Sequence, residues 1–181
     1  MQTYLALLRG INVSGQNSIR MAELRDSFSA MGFAEVETYL QSGNVVFSAG
    51  KSSEEKLAAA IQSRICQDFG HQVHVLVISA AELDFIARSN PLWSESGGDE
   101  KLFHVTFLFQ PVSSTSFQML KLPAAAGERA VMSGRVVLLH CPHGYGKTKL
   151  NNSYFERVLK VPATTRNWRT VLALQALCAA H

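Results

Sequence analysis

The chain has 181 residues, of which 47% are hydrophobic and 17% charged, with a formal net charge of +3. That composition is ordinary for a globular protein and allows one substantial core or two of roughly 90 residues each. No apolar run approaches the roughly 18 residues of a membrane span, and Met1-Gln2-Thr3 does not open a signal peptide, so a cytoplasmic protein without a membrane partner is expected.

The three cysteines (Cys66, Cys141, Cys178) are odd in number and far apart, which argues against a disulfide framework and a structural zinc site. The charge is unevenly placed. Residues 1–129 carry thirteen acidic and ten basic side chains, whereas residues 130–181 carry seven basic side chains against Glu156 alone. A basic C-terminal third favours an anionic partner, and a solvated basic surface is the plainer alternative.

Tyr4-Leu5-Ala6-Leu7-Leu8 is an unbroken apolar run that ends in Arg9-Gly10. It reads as a strand buried on both faces at the centre of a sheet, followed by a polar loop through Asn17. Met21, Leu24, Phe28 and Met31 then recur at helical spacing, with Gly32 as the stop. Residues 35–40 form a predicted strand, Gln41-Ser42-Gly43-Asn44 a turn, and Val45-Val46-Phe47 the returning strand. Ser52-Ser53-Glu54-Glu55 is a capping box ahead of a helix carrying Leu57, Ile61, Ile65 and Phe69, with Gly70 as its stop. Residues 73–78 supply a last strand. The order β-α-β-β-α-β is the ferredoxin-like arrangement.

Ser79-Ala80-Ala81-Glu82 opens a further helix that Asn90-Pro91 ends, and Ser94-Glu95-Ser96-Gly97-Gly98-Asp99 reads as a linker. A second unit then begins with a strand at 103–109 and a short helix at 114–120, followed by a hairpin of 129–132 with 135–140. Its turn, Ser133-Gly134-Arg135-Val136-Val137, echoes Ser42-Gly43-Asn44-Val45-Val46. Ser153 is expected to cap a helix bearing Phe155, Val158 and Leu159, and Thr164-Thr165-Arg166-Asn167 to start a C-terminal helix. The expected fold is α+β, with two ferredoxin-like halves packed together and a C-terminal helix. Its parts are residues 1–79, a helix and linker at 80–100, and residues 101–181.

Two polar groupings stand out. Arg9, Asn12 and Asn17 lie at the end of the first strand, and Gln41, Ser42 and Asn44 at the hairpin turn of the same sheet, so they form one rim. Amide and hydroxyl groups there offer donors and acceptors, although Asn and Gly serve equally as turn residues. Thr165, Arg166 and Asn167 at an expected helix start suit an anion, with Arg166 as the fork. Lys147 and Lys149 follow in a glycine-rich basic loop. That loop is no nucleotide-hydrolase motif, since Pro142 stands where the first P-loop glycine is required. His140 and Cys141 point to opposite strand faces, so no metal is expected, nor any cofactor. The apolar first and third strands also disfavour an open-faced RNA reader.

The segments Ala6-Leu7-Leu8-Arg9-Gly10-Ile11-Asn12-Val13, Met21-Ala22-Glu23-Leu24, 38–47, and Lys149-Leu150 with 164–171 together resemble a bacterial family, domain of unknown function 1697. The resemblance runs from near residue 3 to about 177. Ser14 and Gln16 stand where that family usually has Gly and Lys, and Arg169 where it has Asn. It implies two ferredoxin-like halves; the family has no established activity, so the resemblance carries over no catalytic residue. The leading functional expectation is a polar cleft between the halves for a nucleotide-like molecule or a nucleic acid. In it Arg9 and Arg166 would carry charge, the Asn, Gln and Ser groups specificity, and Lys147 and Lys149 the flank. One alternative is an enzyme stabilising a developing anion, for which Tyr39, Tyr145 and His143 are poor candidates. The other is a set of motifs that hold the fold with no ligand.

Overall fold

A computed structural model describes residues 1–96 and 98–181, with Ser96 described through its backbone alone. The chain divides into two compact units, Met1–Phe85 with Leu174–His181, and Ile86–Ala173.

The first unit runs β1 (Gln2–Leu8), α1 (Met21–Ala30), β2 (Ala34–Tyr39), β3 (Asn44–Ala49), α2 (Glu54–Phe69), β4 (Val75–Ser79) and the start of α3 (Ala80–Arg88). Its sheet is antiparallel throughout, in the order β2-β3-β1-β4. The apolar run from Tyr4 to Leu8 is therefore central, and all five residues are buried. Alternate residues of the sheet, Tyr4, Ala6, Leu8, Val45, Phe47, Val75 and Val77, join Leu24, Phe28, Leu57, Ile61 and Ile65 of α1 and α2 in one core. Helical spacing thus places the apolar stripe of each helix against one face of the sheet.

The second unit contains α4 (Pro91–Ser96), β5 (Phe103–Leu108), α5 (Ser114–Gln118), β6 (Arg129–Ser133), β7 (Val136–His140), α6 (Asn152–Leu159), β8 (Ala163–Asn167) and the first residues of α7 (Trp168–Ala180). Its antiparallel sheet has the order β6-β7-β5-β8. Leu108, Phe117, Val137, Leu139, Leu150, Phe155 and Ala163 make its core. The protein is therefore α+β, with two four-stranded antiparallel sheets and a C-terminal helix.

Several local expectations are corrected. Thr164-Thr165-Arg166-Asn167 is not a helix start but the strand β8, hydrogen-bonded to β5 with Val105 opposite Arg166. Edge pairing satisfies the backbone there, and β-branched threonines suit a pleated strand. The second unit accordingly closes on a strand followed by a helix, as the first does. Ser53 caps α2 by accepting from the Lys56 amide, but the position that completes a capping box is lysine, and Glu54 instead accepts from the Ser79 amide. Asn151, not Ser153, caps α6. Asn44 belongs to β3 and not to the turn.

The expected linker at 94–99 is helical through Ser96. Pro91 takes the first helical position of α4, where its missing N–H costs nothing, and Asn90 Oδ1 accepts from Leu92 and Trp93. Gly97 of that stretch lies outside the described residues. Asp99 caps the short 3-10 turn that leads into β5.

The hairpin echo is displaced by one residue. The Leu8 amide donates to Gly43 O, and the corresponding Leu108 amide donates to Arg135 O. Gly43 therefore matches Arg135 and not Gly134. The first hairpin turns through four residues between Tyr39 and Asn44, the second through two between Ser133 and Val136. The shared Ser-Gly letters serve different turns.

Candidate functional site

The polar rim of the first unit is held by its own side chains. Val13, Ser14, Gly15 and Gln16 form a tight turn closed by Gln16 N to Val13 O at 2.9 Å, with φ of 50° and 75° at Ser14 and Gly15. Both central angles are positive, which suits Gly and small polar residues. Asn12 sits beside this turn at φ 55°. Its Nδ2 donates to Ile19 O and Gln41 O, each at 2.9 Å, and its Oδ1 accepts the Ile19 amide at 2.8 Å. Asn17 Nδ2 donates to Gly10 O at 3.1 Å, and Asn44 Nδ2 to Tyr39 O at 2.8 Å and Ser42 Oγ at 3.0 Å. The loop and the hairpin turn are thus brought together as expected. Their amides donate to backbone carbonyls and so tie the loop and the turn in place. Gln41 contributes its carbonyl, while its side chain is exposed, and Arg9 is half-buried beyond the end of β1.

Arg166 lies in β8 and is almost wholly buried. Its guanidinium donates to Thr164 Oγ1 at 2.7 Å and to Thr165 O at 3.1 Å, and burial pushes its pKa down to about 10. The group is therefore still charged at neutral pH. Asn167 caps α7 through Oδ1, accepting from the Arg169 amide, while its Nδ2 reaches Lys101 O and His104 Nε2. Thr165 pairs with Thr106 through their hydroxyls at 2.8 Å.

These contacts belong to a cluster that no sequence motif marks. The ring of His104 stacks on Tyr145 with centroids 4.5 Å apart. The Asn152 amide donates to the Tyr145 hydroxyl, and Thr165 Oγ1 donates to Asn152 Oδ1 at 3.4 Å. Burial lowers the His104 pKa to about 4, opposed weakly by the Leu102 backbone, and burial also raises that of Tyr145. Both rings are neutral at physiological pH. The available signal was alternation: Phe103-His104-Val105-Thr106-Phe107 places polar residues at every second position, whereas Thr3-Tyr4-Leu5-Ala6-Leu7 is largely apolar.

An open hollow of about 420 Å³ is lined by Pro123, Lys149, Asn151, Ser153, Tyr154 and Arg157. The Arg157 guanidinium lies 5.6 Å from the Tyr154 ring centroid, a cation–π distance. The Tyr154 hydroxyl donates to Lys121 O. Lys121, Lys147, Lys149, Arg157 and Lys160 are all exposed. Lys147 ends a 3-10 turn that begins at Tyr145. Tyr154 and Arg157 were not among the residues singled out by sequence.

His140, Cys141 and His143 are engaged separately. His140 stacks on Phe103, Cys141 is buried, and His143 Nε2 lies 2.9 Å from Ala126 O. Among the described residues no group of three His, Cys, Asp or Glu side chains is placed to hold a metal. Nor is any helix among them long and apolar enough to cross a membrane.

Two antiparallel sheets, each packed against helices, define an α+β protein. The family described as "Protein of unknown function (DUF1697)" matches residues 1–138, and the chain belongs to it. The matched range contains the polar rim of the first unit, while Lys147, Lys149 and Thr165 to Asn167 fall beyond it. A solved structure of a conserved bacterial protein from Streptococcus pneumoniae is 24% identical, with a TM-score of 0.74 and 98% of each chain covered. That likeness extends the fold over the whole chain. No curated protein matches the sequence.

Proposed function

We propose that the protein binds an anionic, phosphate-bearing ligand on its second unit, at the hollow flanked by Lys149 and Arg157. The observation that carries this reading is the convergence of two cations, an aromatic ring and two small polar side chains on one concavity. It lies in the third of the chain where basic residues outnumber acidic ones seven to one. Lys147, two residues before Lys149, is exposed as well. Lysine and arginine supply the charge-assisted hydrogen bonds that phosphate oxygens accept.

In this reading Arg9, Asn12, Asn17, Gln41, Ser42 and Asn44 act by shaping the first unit, and Thr165, Arg166 and Asn167 by shaping the second. The bonds from the asparagine amides to backbone carbonyls favour that division. We also read each unit as ferredoxin-like, supported by the element order β-α-β-β-α-β and the strand orders β2-β3-β1-β4 and β6-β7-β5-β8.

The test is equilibrium binding of AMP and of a labelled single-stranded oligonucleotide to wild type and to Lys149→Ala/Arg157→Ala over a range of salt. Binding that weakens with salt and is lost in the double variant supports the reading. A much tighter, steeply salt-dependent oligonucleotide response would identify the partner as nucleic acid. Equal behaviour of wild type and the double variant would overturn the site.

A further inference from the structure

The repeated element order lets a groove in one unit be compared with its counterpart in the other. Each unit carries one helix after its first strand and another before its last, α1 and α2 in the first, α5 and α6 in the second. Both pairs border a groove. In the first unit it holds about 500 Å³, and its lining includes Glu23, Asp26 and Ser27 of α1 with Arg64 and Asp68 of α2. Asp68 accepts from Ser27 Oγ at 2.6 Å and from Arg64 Nε at 2.7 Å, so α1 and α2 are bonded to each other there.

The counterpart in the second unit has a different chemistry. It holds about 330 Å³, and among the described residues no charged side chain lines it. Pro111, Val112 and Leu120 come from around α5, and Val158, Leu159 and Val161 from the end of α6 and just beyond it. Its two hydroxyls, those of Ser113 and Ser116, are 2.7 Å apart and bonded to each other. A groove in this position is built with ionic walls in the same molecule, so the topology does not demand apolar ones. Helix α5 has five residues where α1 has ten, and Met119 at its end is 81% exposed. Apolar surface left open in this way marks a place where another chain is received.

The charges that adjoin the groove in sequence have one sign. Lys121 follows Leu120, and Lys160 stands between Leu159 and Val161; both are exposed. Glu156, the acidic residue of α6, is engaged by the Ala163 amide at 2.9 Å. An apolar groove with basic neighbours complements an apolar stripe bordered by carboxylates.

We propose that the groove between α5 and α6 docks an acidic amphipathic helix of a partner protein. Its apolar stripe would lie against Leu120, Val158 and Leu159, and its carboxylates would meet Lys121 and Lys160. Large apolar side chains spaced three and four residues apart suit such a groove, and the flexible Met119 adapts to them. The groove shares no lining residue with the basic hollow, so this inference stands apart from the phosphate reading.

The probe is a labelled synthetic peptide of about 18 residues, long enough to form a helix, with leucines at helical spacing and glutamates on its other face. Fluorescence anisotropy with the full chain should show binding at least about tenfold tighter than for the same peptide with lysines replacing glutamates. Val158→Ser should weaken the acidic peptide about tenfold. Lys121→Glu/Lys160→Glu, at exposed positions, should keep the wild-type Tm and reverse the preference between the peptides. Lys149→Ala/Arg157→Ala should bind the acidic peptide as wild type does, and loss of binding in that variant would overturn the groove as the site. Equal binding of the two peptides, or none, would also overturn it. Self-association of the free chain that Val158→Ser abolishes, read by sedimentation velocity, would make a second copy the occupant and overturn the acidic partner.

Discussion

Asn12 spans two chain segments 29 residues apart, its side-chain amide donating to the Gln41 carbonyl at 2.9 Å. The same side chain brackets Ile19 through both its amide and its carbonyl. One residue therefore fixes the loop after β1 against the β2–β3 turn.

Asn12→Ala removes three hydrogen bonds and puts alanine at a positive φ, so a loss of about 2–4 kcal/mol is expected. Gln41→Ala keeps the carbonyl that Asn12 uses and should lie within about 0.5 kcal/mol of wild type. Urea denaturation of the two variants checks the contrast. Equal losses would show that the Gln41 side chain shares the work.

Gly43 has a φ of 79°, and a Cβ there would lie 2.7 Å from Leu8 Cβ and 2.9 Å from Ile11 Cδ1. Both neighbours are buried. Gly43→Ala is expected to cost about 2–4 kcal/mol, from the left-handed backbone and from overpacking. Gly15→Ala meets no atom within 4 Å and carries the backbone cost alone. Thermal denaturation should rank Gly43→Ala well below Gly15→Ala.

His104 makes stability fall on acidification. Its pKa is pushed to about 4 by burial, against roughly 6.5 in an unfolded chain. Above that value both states are neutral. As the pH drops toward 4 the unfolded chain gains a proton that the native state refuses. About 3 kcal/mol is lost over this window, at about 1.4 kcal/mol per pH unit. Subtracting the pH profile of His104→Gln from that of wild type isolates this contribution. Parallel profiles between pH 7 and 4 would contradict the burial of a neutral ring.

The three thiols differ in access. Cys66 is exposed, whereas Cys141 and Cys178 are buried, with burial raising the pKa of each to about 11. The thiolate is the reactive form. A native thiol titration should therefore label one equivalent quickly, and all three only after denaturation. Mapping should place the fast label on Cys66.

Much of the fold was legible from sequence because its signals are local. The apolar run at Tyr4 to Leu8, the helical stripe of Leu57, Ile61 and Ile65, and the left-handed stop at Gly70 each depend on neighbours a few residues away. The β8 segment was misread because Thr-Thr-Arg-Asn suits both a helix cap and a strand, and only pairing with β5 decides between them. The rim was anticipated as a group, but not that its amides are directed at carbonyls. His104, Thr106 and Asn152 meet only in three dimensions, and Tyr154 with Arg157 was absorbed into a helix expected only to pack. Charge asymmetry pointed to the C-terminal third of the chain without indicating that Lys149 and Arg157 line one hollow there.

The binding of phosphate to the second unit is tested most directly by backbone amide NMR during titration with pyrophosphate. Shifts concentrated at Lys149, Asn151, Ser153, Tyr154 and Arg157, saturating and suppressed by salt, are the expected result. Shifts centred on Arg9, Asn12 and Gln41, or none that saturate, would contradict it and move the functional surface to another part of the fold.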